Sequence, residues 1–312
     1  MKFSYKRILS LIGIIIFIYL IYKIGLDKIF ESFSQINLWY VLLSLIPLSV
    51  LFFFLTYKWH AILKLQGFSN LGAWFLLKVY LIGAFYGFIT PSRTGSLIGA
   101  VYLKEKTQRP LIECGTGIVV THILDLLVIF LFATIGAVIL TLKKDFLPGL
   151  LSKIIIAFII FAVITLILIS KTRSRFILMK IHKYLVPEKF KDKARDSFHS
   201  FYSSLPKAKN LLYPLFLTII AWALSYTFAF SIAKSLNIHI PYFSFITIYA
   251  IATVIGMIPI TISGLGTREA SLITLFSVFN IPSASIMSMS ILNLIIGACM
   301  PALIGFLLSI KK

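Results

Sequence analysis

The sequence predicts an all-α polytopic membrane protein of about six to eight spans, with two re-entrant hairpins set among them. Three observations predict it. The 312 residues are 59% hydrophobic and only 13% charged, with a mean hydropathy of +0.99, which leaves too little charge to cover a soluble domain. Several apolar runs reach the roughly 17–25 residues that a helix needs to cross hydrocarbon. The basic residues are placed so that a consistent topology requires two elements to enter and leave on one face.

The first element is "MKFSYKRILSLIGIIIFIYLIYK", a basic start followed by an apolar run longer than a signal-peptide core. No small-x-small cleavage site follows, so an uncleaved span is expected over 8–24. Further apolar runs occupy 38–57, 74–90, 112–141, 150–170, 211–233, 241–258 and 284–309. Two short apolar arms, 95–103 and 267–280, follow broken sequence. No Gly/Ser-rich or Pro-rich linker divides the chain, which reads as a single transmembrane domain over 1–312.

Orientation follows from the lysines and arginines. Lys2, Lys6 and Arg7 precede the first span, and Lys311 and Lys312 close the chain. The 171–210 loop holds eleven basic residues against three acids. All three segments are therefore expected in the cytoplasm, under the rule that places basic loops inside. If every run crossed fully, the 171–210 loop would fall outside. A hairpin over 74–103 that enters and leaves on the cytoplasmic face repairs the count, and puts "LKEKTQRP" (103–110) inside. By the same parity, 241–280 must enter and return on the outer face.

The turning points of the two hairpins share chemistry. The first reads "GFITPSRTG" (87–95) and the second "GMIPITISGLGTRE" (256–269). Each carries glycine, proline, hydroxyl residues, then glycine and arginine. Opposite-entering hairpins with related broken centres form the pattern of an inverted repeat, as in transporters that bind substrate near the midplane. In the basic loop, Phe190, Ala194, Phe198, Phe201 and Leu205 recur at helical spacing. Two readings fit them: an amphipathic helix on the cytoplasmic membrane surface, or a solvated connector packed on the bundle.

Irregular backbone at membrane depth is tolerated where it is buried in protein or lines a wet cavity. Pro259 removes an amide donor, and Gly264 and Gly266 permit conformations closed to other residues. A helix beginning near Thr267 would aim its free N–H groups at the break, and Arg268 adds a bidentate donor for phosphate or carboxylate. Glu269 is expected to neutralise an arginine in the empty site or to carry a proton. Adjacent helical residues do not face one another, so Arg268 and Glu269 are expected to have separate partners. In the first hairpin, Arg93 and Gly95 are the corresponding substrate-binding candidates; snorkelling to the interface is the alternative for Arg93.

In "GIVVTHILDLLVIF" (117–130), Thr121, His122 and Asp125 share a helical face. An intramembrane acid is a functional candidate, here as the partner of an arginine or as a proton carrier; a buried structural ion pair is the alternative. His122 is a further charge-balancing or proton-carrying candidate that ranks below Asp125, with a hydrogen-bonded packing residue as its alternative. Cys114 and Cys299 lie far apart in apolar surroundings, so neither a disulfide nor a metal site is expected. No Walker loop, metalloprotease helix or nucleophile elbow occurs, and no catalytic residue or cofactor is assigned. The net charge of +20 belongs to topology and anionic lipid head groups. No basic segment sits in a soluble module that could hold nucleic acid.

With "GFITPSRTG", "VVTHILDLL" and "IPITISGLGTREASLI" in view, the chain resembles the flippase-like membrane region of lysylphosphatidylglycerol synthetases and its stand-alone archaeal and bacterial relatives. The resemblance extends over roughly residues 8–309, and "GLGTRE" is its most specific piece. It implies about eight helices with re-entrant segments and transfer of a lipid between leaflets. Pro259, Gly264, Gly266, Arg268 and Glu269 match in the second hairpin, Pro91 and Gly95 in the first, and Asp125 in the following helix.

Departures from the family pattern also stand out. Ser96 and Gly99 replace an acid and an arginine that members often carry after the first-hairpin glycine. His122 replaces an arginine three positions before the helix aspartate. The soluble aminoacyl-transferase domain of the fused enzymes has no counterpart, so synthesis of a lysyl-lipid is not implied.

The expected function is translocation of a lipid with an anionic or zwitterionic head group, with phospholipids or lipid-linked head groups as partners, in the cell membrane. A membrane-embedded transferase acting on a lipid-linked substrate is the enzymatic alternative. A non-transporting membrane partner of a cytoplasmic enzyme is the third.

Overall fold

The computed structural model describes residues 5–143, 149–169, 191–257, 261 and 264–310. All regular elements among them are helical. Helix α1 (Tyr5–Ile24) leads into a short α2 (Leu26–Ser34), then α3 (Leu38–Leu65) and α4 (Ala73–Phe88). A 3-10 helix (Pro91–Ile98) runs into α5 (Gly99–Thr107), followed by α6 (Leu111–Lys143) and α7 (Leu150–Ile169). The second half holds α8 (Lys191–Ser204), α9 (Leu212–Ser235), α10 (Tyr242–Met257), α11 (Thr267–Ser277) and α12 (Ser283–Leu294). A π-turn (Ile295–Cys299) joins α12 to α13 (Met300–Ile310). The wide turn precedes Pro301, whose ring cannot donate the amide that an unbroken helix needs there.

Four stretches are long and apolar enough to cross a membrane: Leu38–Leu65, Leu111–Ile139, Ala208–Ser235 and Ser283–Ile310. Shorter apolar helices lie between them. This is a multi-pass membrane protein. Large apolar side chains are exposed along these helices; on α7, Ile156, Ile159, Ile160, Val163 and Ile164 are all exposed. The sequence reading missed α2, because its nine residues are too few to register as a run. Its Ile29 is buried while Leu26 and Phe30 are exposed, so it is a short amphipathic helix of about two and a half turns that follows α1.

Helices α3 and α9 are antiparallel neighbours whose ends define two poles of the bundle. At one pole the amide of Asn37 donates to the Ser235 carbonyl at 2.8 Å, while the Asn37 side chain caps α3 by accepting from Trp39 N at 3.0 Å. At the other, Gln66 Nε2 donates to the Ser204 carbonyl at 3.0 Å, and Arg109 donates to the carbonyls of Gln66 and Gly67. We call these the asparagine pole and the basic pole. Exposed Trp39 and Tyr22 lie near the first, and exposed Trp74 and Tyr213 near the second. Tryptophan and tyrosine are the residue types enriched at membrane–water interfaces.

The two segments expected to form hairpins each contain a pair of helices, α4 and α5 in the first and α10 and α11 in the second. In the first, the chain folds back on α4 so closely that Gly95 lies against the Tyr86 carbonyl and Gly83 against Ser96. Both arms are anchored at the basic pole. In the second, Gly264 lies against Gly256, and Gly256 against Arg268. Both its arms are anchored at the asparagine pole, where Leu236, Ile238 and Ile240 pack into one cluster with Phe279 and Ile281. The two segments are therefore tied to the bundle at opposite poles. Among the described residues of the predicted amphipathic segment, α8 is helical, and its C-terminal end docks on the bundle. There Ser204 Oγ donates to Thr116 Oγ1 at 3.1 Å, and Leu205 packs on Ile62, Val120 and Leu124. Phe190 and the side chain of Ala194 lie outside the described residues.

Candidate functional site

The tip of the second hairpin is built by glycine geometry. Gly264 and Gly266 have φ of 76° and 83°, in the left-handed region that a side chain disfavours. Gly266 also lies under the Gly13 carbonyl of α1, so a Cβ there would strike the neighbouring helix. The turn starts α11 with Thr267, Arg268 and Glu269 in its first turn. Pro259 lies outside the described residues.

Glu269 folds back to cap this helix, and its Oε2 accepts from the Gly266 amide at 2.6 Å. That is the half of a capping box which a glycine N-cap allows. Its Oε1 accepts from Arg268 Nε at 3.2 Å, Arg268 Nη2 at 3.0 Å and Ser290 Oγ at 2.7 Å. Arg268 Nη2 also donates to Ser290 Oγ at 3.1 Å. Separate partners for Arg268 and Glu269 are thus not what is found. The carboxylate turns toward the helix start, and the long arginine side chain wraps around the first turn to meet it.

Burial makes this pair asymmetric. Glu269 is 2% exposed in its side chain and Arg268 is 23% exposed. Arg268 Nη1 makes no hydrogen bond among the described residues, so the guanidinium keeps a donor edge open. A carboxylate held by three donor groups, beside an arginine with spare donors, can exchange its hold for that of another anion.

The first hairpin turns by a different device. Thr90 Oγ1 donates to the Tyr86 carbonyl at 2.8 Å and accepts from the Gly95 amide at 2.7 Å, tying the end of α4 to the 3-10 turn. A Cβ at Gly95 would overlap the Tyr86 carbonyl. Arg93 lies in the 3-10 helix, but its side chain is outside the described residues. Ser96 Oγ is 3.0 Å from His122 Nε2, which joins this hairpin to α6.

One turn along α6, Asp125 Oδ1 lies 2.7 Å from Lys58 Nζ and accepts from Trp222 Nε1 at 2.9 Å. The expected arginine partner is a lysine on α3. Lys58 is fully buried and Asp125 is 16% exposed in its side chain. Lys58 directly follows the apolar run 38–57, where a lysine reads as a topology marker. The 28-residue length of α3 carries it inside the bundle instead. Trp222 and Ser290 were also missed, since tryptophan in an apolar run reads as lipid-facing and serine as helix packing. Among the described residues, no hydrogen bond or ion pair links Asp125 to Arg268 or Glu269. They form two separate charged nodes, each neutral within itself. No group of three or more metal-ligating side chains occurs among the described residues.

Comparison with known proteins gives one consistent picture. The family model described as the lysylphosphatidylglycerol synthase TM region matches residues 7–305. A UPF0104 membrane protein of Methanocaldococcus jannaschii is 28% identical, over 98% of this chain and 94% of its own. A UPF0104 membrane protein of Methanothermobacter thermautotrophicus is 22% identical, over 89% of this chain and 87% of its own.

Proposed function

The chain belongs to the lysylphosphatidylglycerol synthase TM region family, and from that premise we propose that it moves a lipid with an anionic or zwitterionic head group between leaflets. The observation that carries this reading is the Arg268–Glu269 pair on the broken tip of the second hairpin. Charge inside a membrane protein is expensive, about 2.5–3.5 kcal/mol per group on insertion scales, so a residue with an open donor edge there calls for a use. In the empty protein Glu269 neutralises Arg268. An arriving phosphate competes for the guanidinium, while Glu269 stays anchored by Gly266 and Ser290 or takes a proton.

The first hairpin supplies a second broken centre from the opposite end, with Arg93 and Gly95 as its head-group candidates. Asp125, held by Lys58 and Trp222, and His122, held to Ser96, couple that hairpin to α3, α6 and α9. We assign the basic pole, with the 171–210 loop and both termini, to the cytoplasm, because its loops carry the lysines and arginines. Two hairpins entering from opposite poles give each leaflet an entry to the bundle.

The test is reconstitution into liposomes that carry headgroup-labelled phospholipid in one leaflet. Protein-dependent appearance of label in the other leaflet supports translocation. Covalent change of the labelled lipid, without its redistribution, replaces this reading with that of a membrane-embedded transferase.

A further inference from the structure

At the basic pole, the loop between α3 and α4 carries two adjoining recesses of about 360 and 530 Å³. Phe68, Ser69, Asn70 and Leu71 form the wall they share. Lys106, Thr107 and Arg109 complete the first recess, and His60, Lys64 and Gly67 the second.

The loop is built to hold its shape. Phe68 and Leu71 are buried in the cluster formed by Trp59, Leu63, Leu76 and Leu103. Arg109 is committed to the scaffold. Its Nη1 and Nη2 donate to the Gln66 and Gly67 carbonyls at 3.1 and 2.7 Å, and its guanidinium lies 4.4 Å from the Phe68 ring centre.

The remaining cations are not committed. Lys64 and Lys106 are exposed, and their side chains make no ion pair or hydrogen bond among the described residues. Glu105 and Glu113, on the same helices as Lys106 and its neighbours, line neither recess. Two ammonium groups thus flank a rigid polar wall of Ser69 and Asn70, with no acid in the lining to neutralise them. The position is interfacial, since Trp74 follows the loop directly and is 74% exposed, and Leu65 precedes it on the lipid side.

We infer that this double recess binds the phosphate of an anionic membrane lipid, with Lys64 and Lys106 as its charge partners and Ser69 and Asn70 as hydrogen-bonding groups. A lipid fits better than a free anion, because the recess opens beside apolar, lipid-exposed side chains. A volume of a few hundred Å³ suits a head group. The site is separate from the Arg268 pair and does not depend on translocation. It would hold an anionic lipid beside the mouth of the first hairpin, whose two arms both begin at this pole.

The test is equilibrium binding of dioctanoyl phosphatidylglycerol to the full chain in a neutral detergent. Saturable binding is expected, about twenty-five-fold weaker in Lys64→Gln/Lys106→Gln at roughly fivefold per lysine. It should stay within about threefold of wild type in Lys64→Arg/Lys106→Arg, which keeps the charge and controls for folding. The same comparison made in an Arg268→Gln background, where the hairpin tip no longer contributes a guanidinium to the binding signal, should show the same loss, which separates this site from the translocation site. Undiminished binding by the glutamine double variant overturns the site. Displacement of the lipid by inorganic phosphate at equal concentration, or equal binding of dioctanoylglycerol, overturns its assignment to a lipid phosphate.

Discussion

Lys58 Nζ and Asp125 Oδ1 stand 2.7 Å apart in the interior of the bundle, joining α3 to α6 and, through Trp222 Nε1, to α9. Three helices are fixed in register at one carboxylate. The pair lies one turn of α6 from the His122 contact that holds the first hairpin, so its geometry bears on that hairpin's position.

Removing one partner should therefore harm more than removing both. Lys58→Met or Asp125→Leu alone leaves a buried charge uncompensated and should cost about 3–5 kcal/mol of stability. The double variant should recover most of that loss, because an apolar pair of similar volume is tolerated where an orphaned ion is not. Thermal unfolding of the purified proteins in detergent measures all three against wild type.

Glu269→Gln keeps an oxygen for the Gly266 amide and a group for Ser290, but removes the charge that neutralises Arg268. The variant should fold and bind anionic lipid more tightly than wild type, with slower release and slower translocation. Glu269→Ala should also lose the cap and about 1 kcal/mol of stability. Lipid binding and melting curves distinguish the two variants.

Gly95→Ala should destabilise the first hairpin by about 1–3 kcal/mol or more, since the added methyl overlaps the Tyr86 carbonyl and neither backbone can yield freely. Thr90→Val should cost about 1–3 kcal/mol by leaving the Gly95 amide unpaired. Reduced yield of monodisperse protein and a lower melting temperature are the expected readouts.

Topology can be checked without any assumption about transport. Single cysteines at Gln108 and at Asn237, in a background without Cys114 and Cys299, should react with membrane-impermeant reagent from opposite sides. Gln108 should react from the cytoplasmic side only. Labelling of both from one side contradicts hairpins that enter from opposite poles.

Much of the architecture was legible because the membrane simplifies the code. Apolar run length located most of the long helices within a few residues, although α3 runs eight residues past its apolar run, and basic loops with parity motivated the two hairpins. The glycine and proline breaks of "GFITPSRTG" and "GLGTRE" marked their turns. What the sequence hid is pairing across helices. Nothing near Lys58 in the chain announces Asp125, which is 67 positions away, or Trp222 beyond it. The Arg268–Glu269 contact was misjudged for a different reason. Helical periodicity describes the middle of a helix, whereas these residues occupy a first turn, where a carboxylate is drawn back to the free amides. The short α2 escaped because it is too brief for periodicity to register.

The most direct test of the account is the initial rate of headgroup-labelled lipid transfer in liposomes, compared between wild type and a folded Arg268→Ala variant. If Arg268 is the group that grips the phosphate at the hairpin tip, the variant should lose at least about tenfold in rate, as expected for one charge-assisted contact of roughly 1.5–3 kcal/mol. Its phosphatidylglycerol binding at the basic pole should remain near that of wild type, while its melting temperature should fall because Glu269 is left buried without its cation. Transfer by Arg268→Ala at the wild-type rate would contradict the account.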